Sequence, residues 1–275
     1  MTNLIFFTQN TMASIVATRE VLKKNHHEIK TIVIASQLRG ESIKDQALVA
    51  YKLIKNSSLS FFIYKLIESK IYNFLLYWHK IIKTKKYQND EAKTIEELAK
   101  KYNIPIITTN DLSDQDFLYE IKALNPDYIL CLVAQILKKK VFETLGNKLI
   151  NAHGSYLPEY RGPAQYIFYP LNGDQQFGVT IHFMEPGLDT GDIIFQKKFN
   201  YNLKHSVYKL HYDMALTFGI MLNEFIENYA NKDFFSHKQD SGKATFTRMP
   251  LKEDIHRLKR KGYKLITAKD FFTYL

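Results

Sequence analysis

Leu4 to Thr8 and Ile29 to Ala35 are nearly unbroken apolar or β-branched runs, and Met12 to Lys24 between them mixes apolar and charged positions at helical spacing. Short apolar runs suit strands buried on both faces, so strand, helix, strand predicts a parallel sheet with helices on its faces. The turn after the first strand, Thr8-Gln9-Asn10-Thr11, has no glycine. The Gly-rich dinucleotide fingerprint is therefore absent, and neither NAD nor FAD is expected. Thr94-Ile-Glu-Glu97 reads as a capping-box start for a helix that ends near Tyr102. A short strand over Ile104 to Ile107, a helix over Ser113 to Leu124 and an apolar strand over Tyr128 to Val133 follow. Leu149 to His153 reads as another strand, and Phe177 to Phe183 and Ile193 to Phe199 alternate like an antiparallel pair. Val207, Leu210, Met214, Phe218, Met221 and Phe225 form an apolar stripe at helical spacing, which predicts one long helix packed on the sheet.

Two regions depart from this scheme. Ala47 to Gln88 looks helical and is rich in aromatics, with lysines at 70, 80, 83, 85 and 86 and no acid between Ser69 and Asn89. Such a stretch packs on its own domain, pairs with a twin subunit in a homodimer, or makes peripheral membrane contact through 60–86. The tail from Lys232 carries turn signals near Gly242, read as a hairpin, and a basic helix over Asp254 to Lys261.

The chemistry concentrates in two segments, Asn151-Ala-His153-Gly-Ser155-Tyr-Leu-Pro158-Glu-Tyr160-Arg161-Gly162 and Gly187-Leu188-Asp189-Thr190-Gly191-Asp192. Residues two apart on a strand share a face, so Asn151 and His153 project together. A carboxylate then follows in a Gly-flanked loop between the last two strands. An amide to polarise a carbonyl, an imidazole to move a proton and a carboxylate to hold the resulting cation make an acyl-transfer set.

Composition narrows the class without deciding it. At 275 residues with 45% apolar and 14% aromatic content, the chain can bury a sizeable core. A single cysteine, Cys131, rules out an internal disulfide framework and suits a reducing, cytoplasmic setting. Leu4-Ile-Phe-Phe7 is too short and lacks a basic leader, so no signal peptide is expected, and no run of about 18 apolar residues predicts a membrane span. The formal charge of +10 fits nucleic acid, an anionic surface, a phosphorylated small substrate or mere lysine richness.

Pro126 to about Phe199 resembles the 10-formyltetrahydrofolate-dependent formyltransferases. The resemblance rests on Asn151, His153, Ser155, Leu157-Pro158, Tyr160-Arg161-Gly162, Gly178-Val-Thr-Ile181 and Leu188-Asp189-Thr-Gly-Asp192. It implies an α/β, Rossmann-like, mostly parallel sheet (the formyltransferase fold) with a helical insertion and a short C-terminal extension. The corresponding division is a catalytic domain over 1–230, with the insertion at about 47–88, and an extension over 231–275. It implies an N-formyltransferase with Asn151, His153 and Asp189 as the catalytic trio and 10-formyltetrahydrofolate as cosubstrate. Whether Asp189 orients His153, stabilises its cation or relays the proton through water stays open. The pterin is expected against backbone groups of Ala134, Gln135, Ile136, Leu137, Glu185, Pro186 and Gly187, with Phe142 as a wall. Ile136 and Leu137 as ordinary core is the competing reading. Thr190 and Asp192 are expected to shape the loop, and His182 reads as a pocket-wall or core histidine. No metal is expected: the family needs none, although His153, His182 and Asp189 could in principle form a metal site.

The acceptor follows by elimination. Fewer than fifty residues remain after Tyr229, too few for the tRNA-gripping barrel of methionyl-tRNA formyltransferases, so nucleic acid is not the expected partner. Thr8-Gln9-Asn10 departs from the glycine-containing phosphate loop of glycinamide ribonucleotide enzymes. A first strand at Leu4 leaves no room for the regulatory domain of formyltetrahydrofolate hydrolases. What remains is the primary amine of a nucleotide-linked, or lipid-linked, amino sugar. Gln9, Asn10 and Arg161 are the positions expected to touch it. A tRNA-directed enzyme, a hydrolase and a catalytically idle binding protein are the alternatives.

Overall fold

The computed structural model describes residues 2–36, 48, 51–52, 54–71, 94–202 and 206–270. Strands β1 (Leu4–Thr8), β2 (Ile29–Ala35), β3 (Ile106–Thr109), β4 (Tyr128–Cys131), β5 (Leu149–His153), β6 (Gln176–Phe183) and β7 (Ile193–Asn200) form one sheet in the order β3-β2-β1-β4-β5-β6-β7. Pairings from β3 through β5 are parallel, and β6 and β7 add antiparallel at one edge. The α/β, mostly parallel fold expected from the sequence is the observed one.

Helices cover both faces. Leu4 and Phe6 of β1 pack with helix α1 (Met12–Asn25) and with the long helix that closes that face, whereas Ile5 and Phe7 face a second cluster on the opposite side. Alternate residues of one strand thus feed two cores, which is why the run reads as continuously apolar. Helix α2 (Leu59–Leu66) lies in the insertion, and helix α3 (Ile95–Lys101) starts at Thr94, whose side chain accepts from Glu97 N at 3.1 Å. Helix α4 (Gln115–Ala123) starts at Asp114, which caps Phe117 N in the same way, and helix α5 (Lys139–Leu145) also covers the second core. Helix α6 (Gln165–Asn172) follows β5. Helix α7 (Val207–Asn228) is the predicted long helix, with five of the six stripe residues buried and Phe218 partly so. It crosses α1 at Gly219, where a Cβ would stand 2.8 Å from Ala17 O, so a larger residue would push the helices apart. Helix α8 (Lys252–Arg260) packs on α6.

Several elements differ from the sequence reading, among them β4, which ends at Cys131 and not at Val133. The third strand runs over Ile106–Thr109, two residues later than expected, because Pro105 has no N–H to give the ladder and contributes only its carbonyl, to Ile32 N at 3.0 Å. Near Gly242 there is a single 3-10 turn, Ser241–Lys243, and no hairpin. The flanking segments pair with the body instead: His237 bridges Ile193 antiparallel, and Phe246 bridges Arg161 parallel. The sequence also missed α5 and α6, which are short, and α6 contains Pro170.

Of the insertion, α2 packs on its own chain. Phe61 and Tyr64 are fully buried, and Tyr64 Oη lies 2.9 Å from His211 Nδ1 on α7. Residues 72–86 of the proposed membrane-facing stretch lie outside the described residues. Among the described residues no helix is long and apolar enough to cross a membrane. Cys131 is buried on β4, where desolvation raises its thiol pKa well above the ordinary value.

Candidate active site

Period-two geometry on β5 brings Asn151 and His153 to one face, and the antiparallel return of β6 sets His182 as the register partner of Asn151. Residues 184–192, between β6 and β7, fold back so that Asp189 Oδ1 lies 3.5 Å from His153 Nδ1. Asp189 Oδ2 accepts the backbone N–H of Gly162 at 2.8 Å. The amide, imidazole and carboxylate named from the sequence therefore converge. Tyr160, Gly162, Ala164 and Asp189 all have left-handed backbone, with φ of 57°, 101°, 62° and 52°. For the three non-glycine residues that conformation costs about 1 kcal/mol or more each, so the surrounding contacts must hold it.

The hydrogen bonds assign the polar groups. His182 Nδ1 donates to Phe183 O at 2.7 Å, which leaves Nε2 as an acceptor for the Asn151 amide N–H at 3.2 Å. That bond fixes which end of the Asn151 amide faces His182 and leaves the second N–H for an oxygen in the site. Burial, and then the neighbouring His153, push the His182 pKa down to about 4, so it stays neutral in this acceptor role. His153 Nε2 stands 3.2 Å from Tyr160 O and 3.1 Å from Gln165 Nε2, one an acceptor and the other a donor. A neutral His153 with its proton on Nδ1 can accept from Gln165. A cationic one can donate to Tyr160 O while Asp189 faces Nδ1. The imidazole has partners in both charge states, as a group that gains and loses a proton requires.

The donor atoms of His153, His182 and Asp189 all lie within 4.8 Å of one another, as a metal site would require. Each is already engaged: His182 Nε2 by Asn151, His153 Nε2 by Tyr160 and Gln165, and Asp189 Oδ2 by Gly162.

The other expected positions fall into two groups. Ala134, Ile136, Glu185, Pro186 and Gly187 are exposed, with Ile136 at 85% and Leu188 beside that loop at 55%. Ile136 is thus not ordinary core, whereas Leu137 and Phe142 pack against the second cluster. Cys131 pairs with Asn151, so the segment from Leu132 leaves the sheet beside the end of β5. By contrast, Gln135 is buried and structural: its Oε1 accepts from Leu112 N, and its Nε2 donates to Ser36 O and Asn110 O. Gln9 Oε1 accepts from Ala134 N at 3.1 Å, spanning the crevice where strand order reverses between β1 and β4. Asn10 Nδ2 donates to Glu96 Oε1 at 3.0 Å. Arg161 is buried, and its Nε and Nη2 both donate to Gln239 Oε1 at 3.1 and 2.7 Å. The sequence missed Gln165, the anchoring role of His182 and Gln239. Strand alternation could have placed His182 opposite Asn151, but no local signal marks Gln239.

A separate pocket of about 330 Å³ opens beside the 156–160 turn, lined by Tyr156, Tyr160, Phe177 and Lys198 among others. None of the trio lines it, but Tyr160 joins the two places, its ring in this pocket and its carbonyl on His153.

An α/β sheet thus holds an amide and an imidazole on one strand, with a carboxylate from the loop after β6 brought against them. Residues 2–215 match the family described as "Formyl transferase", and the chain belongs to that family. Methionyl-tRNA formyltransferase of Finegoldia magna is 32% identical over 148 residues, 54% of this chain and 47% of that protein. The chain spans about half the length of the curated relatives it matches. Among solved structures, the N-formyltransferase of Helicobacter canadensis, in complex with folinic acid and dTDP-3-aminofucose, shares the fold with a TM-score of 0.59 at 18% identity, over 98% of this chain and 82% of that one. Phosphoribosylglycinamide formyltransferase of Streptococcus pneumoniae TIGR4 gives 0.54 at 13% identity, over 82% of this chain and 98% of that one.

Proposed function

We propose that this chain transfers the formyl group of 10-formyltetrahydrofolate to the primary amine of a nucleotide-linked amino sugar. The observation that carries formyl transfer is the convergence of Asn151, His153 and Asp189, with the Asn151 amide turned by His182. Asn151 donates its remaining N–H to the oxygen that gains charge as the amine attacks; one such donor lowers a barrier by about 3–4 kcal/mol. His153 takes the proton that the amine must lose and passes it to the folate nitrogen as that nitrogen's bond to the formyl carbon breaks, and Asp189 stabilises the imidazolium between the two transfers. The exposed apolar side chains of Ile136 and Leu188 fit the face of a pterin, while Ala134 and Glu185–Gly187 offer backbone groups to its edge. Arg161 is held by Gln239, so its part is to shape the acceptor side of the site.

Support for an amino sugar is the extent of the shared fold, which with the Helicobacter enzyme takes in nearly the whole chain, tail included. The methionyl-tRNA enzymes favour the rival acceptor, since they are the curated relatives, but their likeness covers only about half of the chain. The two readings separate in one assay. The chain is incubated with 10-formyltetrahydrofolate and either a panel of nucleotide-linked amino sugars, dTDP-3-aminofucose among them, or charged initiator tRNA. Mass gain of one formyl group on a sugar nucleotide supports the reading, and transfer to methionyl-tRNA alone overturns it. Formate released without any acceptor would mark a hydrolase.

A further inference from the structure

The segment His237 to Thr247 lies beyond the residues matched to the family, yet it meets both catalytic loops. Thr245 and Thr247 hydrogen-bond the backbone of Arg161 from either side, with Arg161 N to Thr245 O at 2.9 Å and Thr247 N to Arg161 O at 2.7 Å. Gly162 makes this approach feasible, because a Cβ there would stand 2.5 Å from Thr247 O. His237 exchanges two backbone hydrogen bonds with Ile193, immediately after the Asp189 loop. Between these anchors sits Gln239. Its Oε1 accepts two N–H bonds from Arg161, and its Nε2 donates to Asp189 O at 2.9 Å and Gly191 O at 2.8 Å.

We propose that Gln239 is a positioning residue for Asp189, so that a residue from outside the family's matched region completes the catalytic centre. The inference rests on the reading of Asn151, His153 and Asp189 as the reacting groups. The chemistry of the four bonds fixes the amide in one orientation. Turned over, it would set N–H groups against a guanidinium and an oxygen against two carbonyls. No other uncharged side chain of this length accepts twice at one end and donates twice at the other. Asp189 needs such a hold because its φ of 52° is unfavourable for a non-glycine residue. With its backbone tied by Gln239 and Oδ2 tied by Gly162, its Oδ1 is left to face His153 Nδ1. A shift of about 1 Å in such an alignment costs on the order of a hundredfold in rate.

Two variants separate positioning from stability. Gln239→Met removes every polar contact at nearly constant volume. Gln239→Glu still accepts from Arg161 but cannot donate to the loop, which isolates the Asp189 half. Both are expected to lower kcat by roughly 10- to 100-fold, with KM for 10-formyltetrahydrofolate within threefold, and with KM for the amino sugar within threefold in Gln239→Glu, which keeps the hold on Arg161. Gln239→Glu should still unfold cooperatively, with a midpoint lowered no further than in Gln239→Met, because it keeps a partner for Arg161. In parallel, the ¹⁵N resonance of His153 Nδ1, which needs no acceptor, should move in both variants in the direction it moves in Asp189→Asn. Unchanged kcat, or an unmoved His153 resonance in a folded variant, overturns the proposal. If Asp189→Asn is itself without effect on rate, the reading of the trio fails first. If only Asp189→Asn has an effect, Gln239 alone is acquitted of the role.

Discussion

Replacing Asp189 by Asn is the sharpest test of the site, because the substitution alters charge with almost no change in shape. Asn tolerates left-handed backbone better than most residues, so φ of 52° at this position is retained. The amide oxygen of Asn can still accept from Gly162 N, which Asp189 Oδ2 meets at 2.8 Å. What disappears is a negative charge 3.5 Å from His153 Nδ1. At an effective dielectric of ~20, Coulomb attraction across that gap is about 5 kcal/mol. Asp189 is partly exposed, with 18% of its side-chain surface accessible, so part of that attraction is screened. In another enzyme's His–Asp pair the same exchange costs about 10⁴ in kcat. We therefore expect kcat to fall by about a thousandfold, with KM for 10-formyltetrahydrofolate within threefold and the melting temperature little changed. The assay follows loss of the formyl group from the folate by absorbance, with the acceptor saturating. A variant within tenfold of the parent would show that no cation on His153 needs this carboxylate, and the proton-transfer argument would fall with it.

Acid should weaken the fold in a window set by two buried histidines. Burial first, and for His182 the nearby His153 as well, push the pKa of His182 and His211 from 6.5 down to about 4. Above pH 6.5 each is neutral whether folded or unfolded and contributes nothing. As pH falls from 6.5 towards 4, only the unfolded chain takes up the protons, so stability is lost, by about 2 kcal/mol per histidine at pH 5. Urea unfolding at pH 7 and pH 5 measures the loss, and His211→Gln should remove about half of it; equal stabilities at the two pH values would refute the assignment. A second expectation concerns the Lys65–Glu68 pair, in which the Glu68 side chain is buried. Burial would raise the Glu68 pKa, but Lys65, aided by His211, holds its carboxyl below the ordinary value. Lys65→Met strands that charge and should cost about 3 kcal/mol in denaturant unfolding, whereas the double replacement of Lys65 and Glu68 by Met should recover most of it. A single variant as stable as the double one would show that the pair does not neutralise a buried charge.

Much of this protein was legible along the chain because the relevant physics is local. Runs such as Leu4–Thr8 and Ile29–Ala35, the Thr94 cap and the stripe from Val207 to Phe225 have few alternatives to strand, helix start and buried helix. Spacing of two on a strand also sufficed to put Asn151 and His153 on one face. Tertiary structure alone decided what those side chains do next. The Asn151 amide takes its direction from His182, 31 residues away, and the Arg161 guanidinium is held by Gln239, 78 residues away. Neither partner is written in periodicity, since a hydrogen bond between distant segments depends on how loops return over the sheet. The two short helices that escaped the sequence reading, Lys139–Leu145 and Gln165–Asn172, are held by packing that propensity does not record. Sequence determined the sheet and the chemistry it presents, through patterns repeated every two or four residues. Only the folded chain determined the orientation of that chemistry, because orientation is set by contacts between groups that sequence keeps far apart.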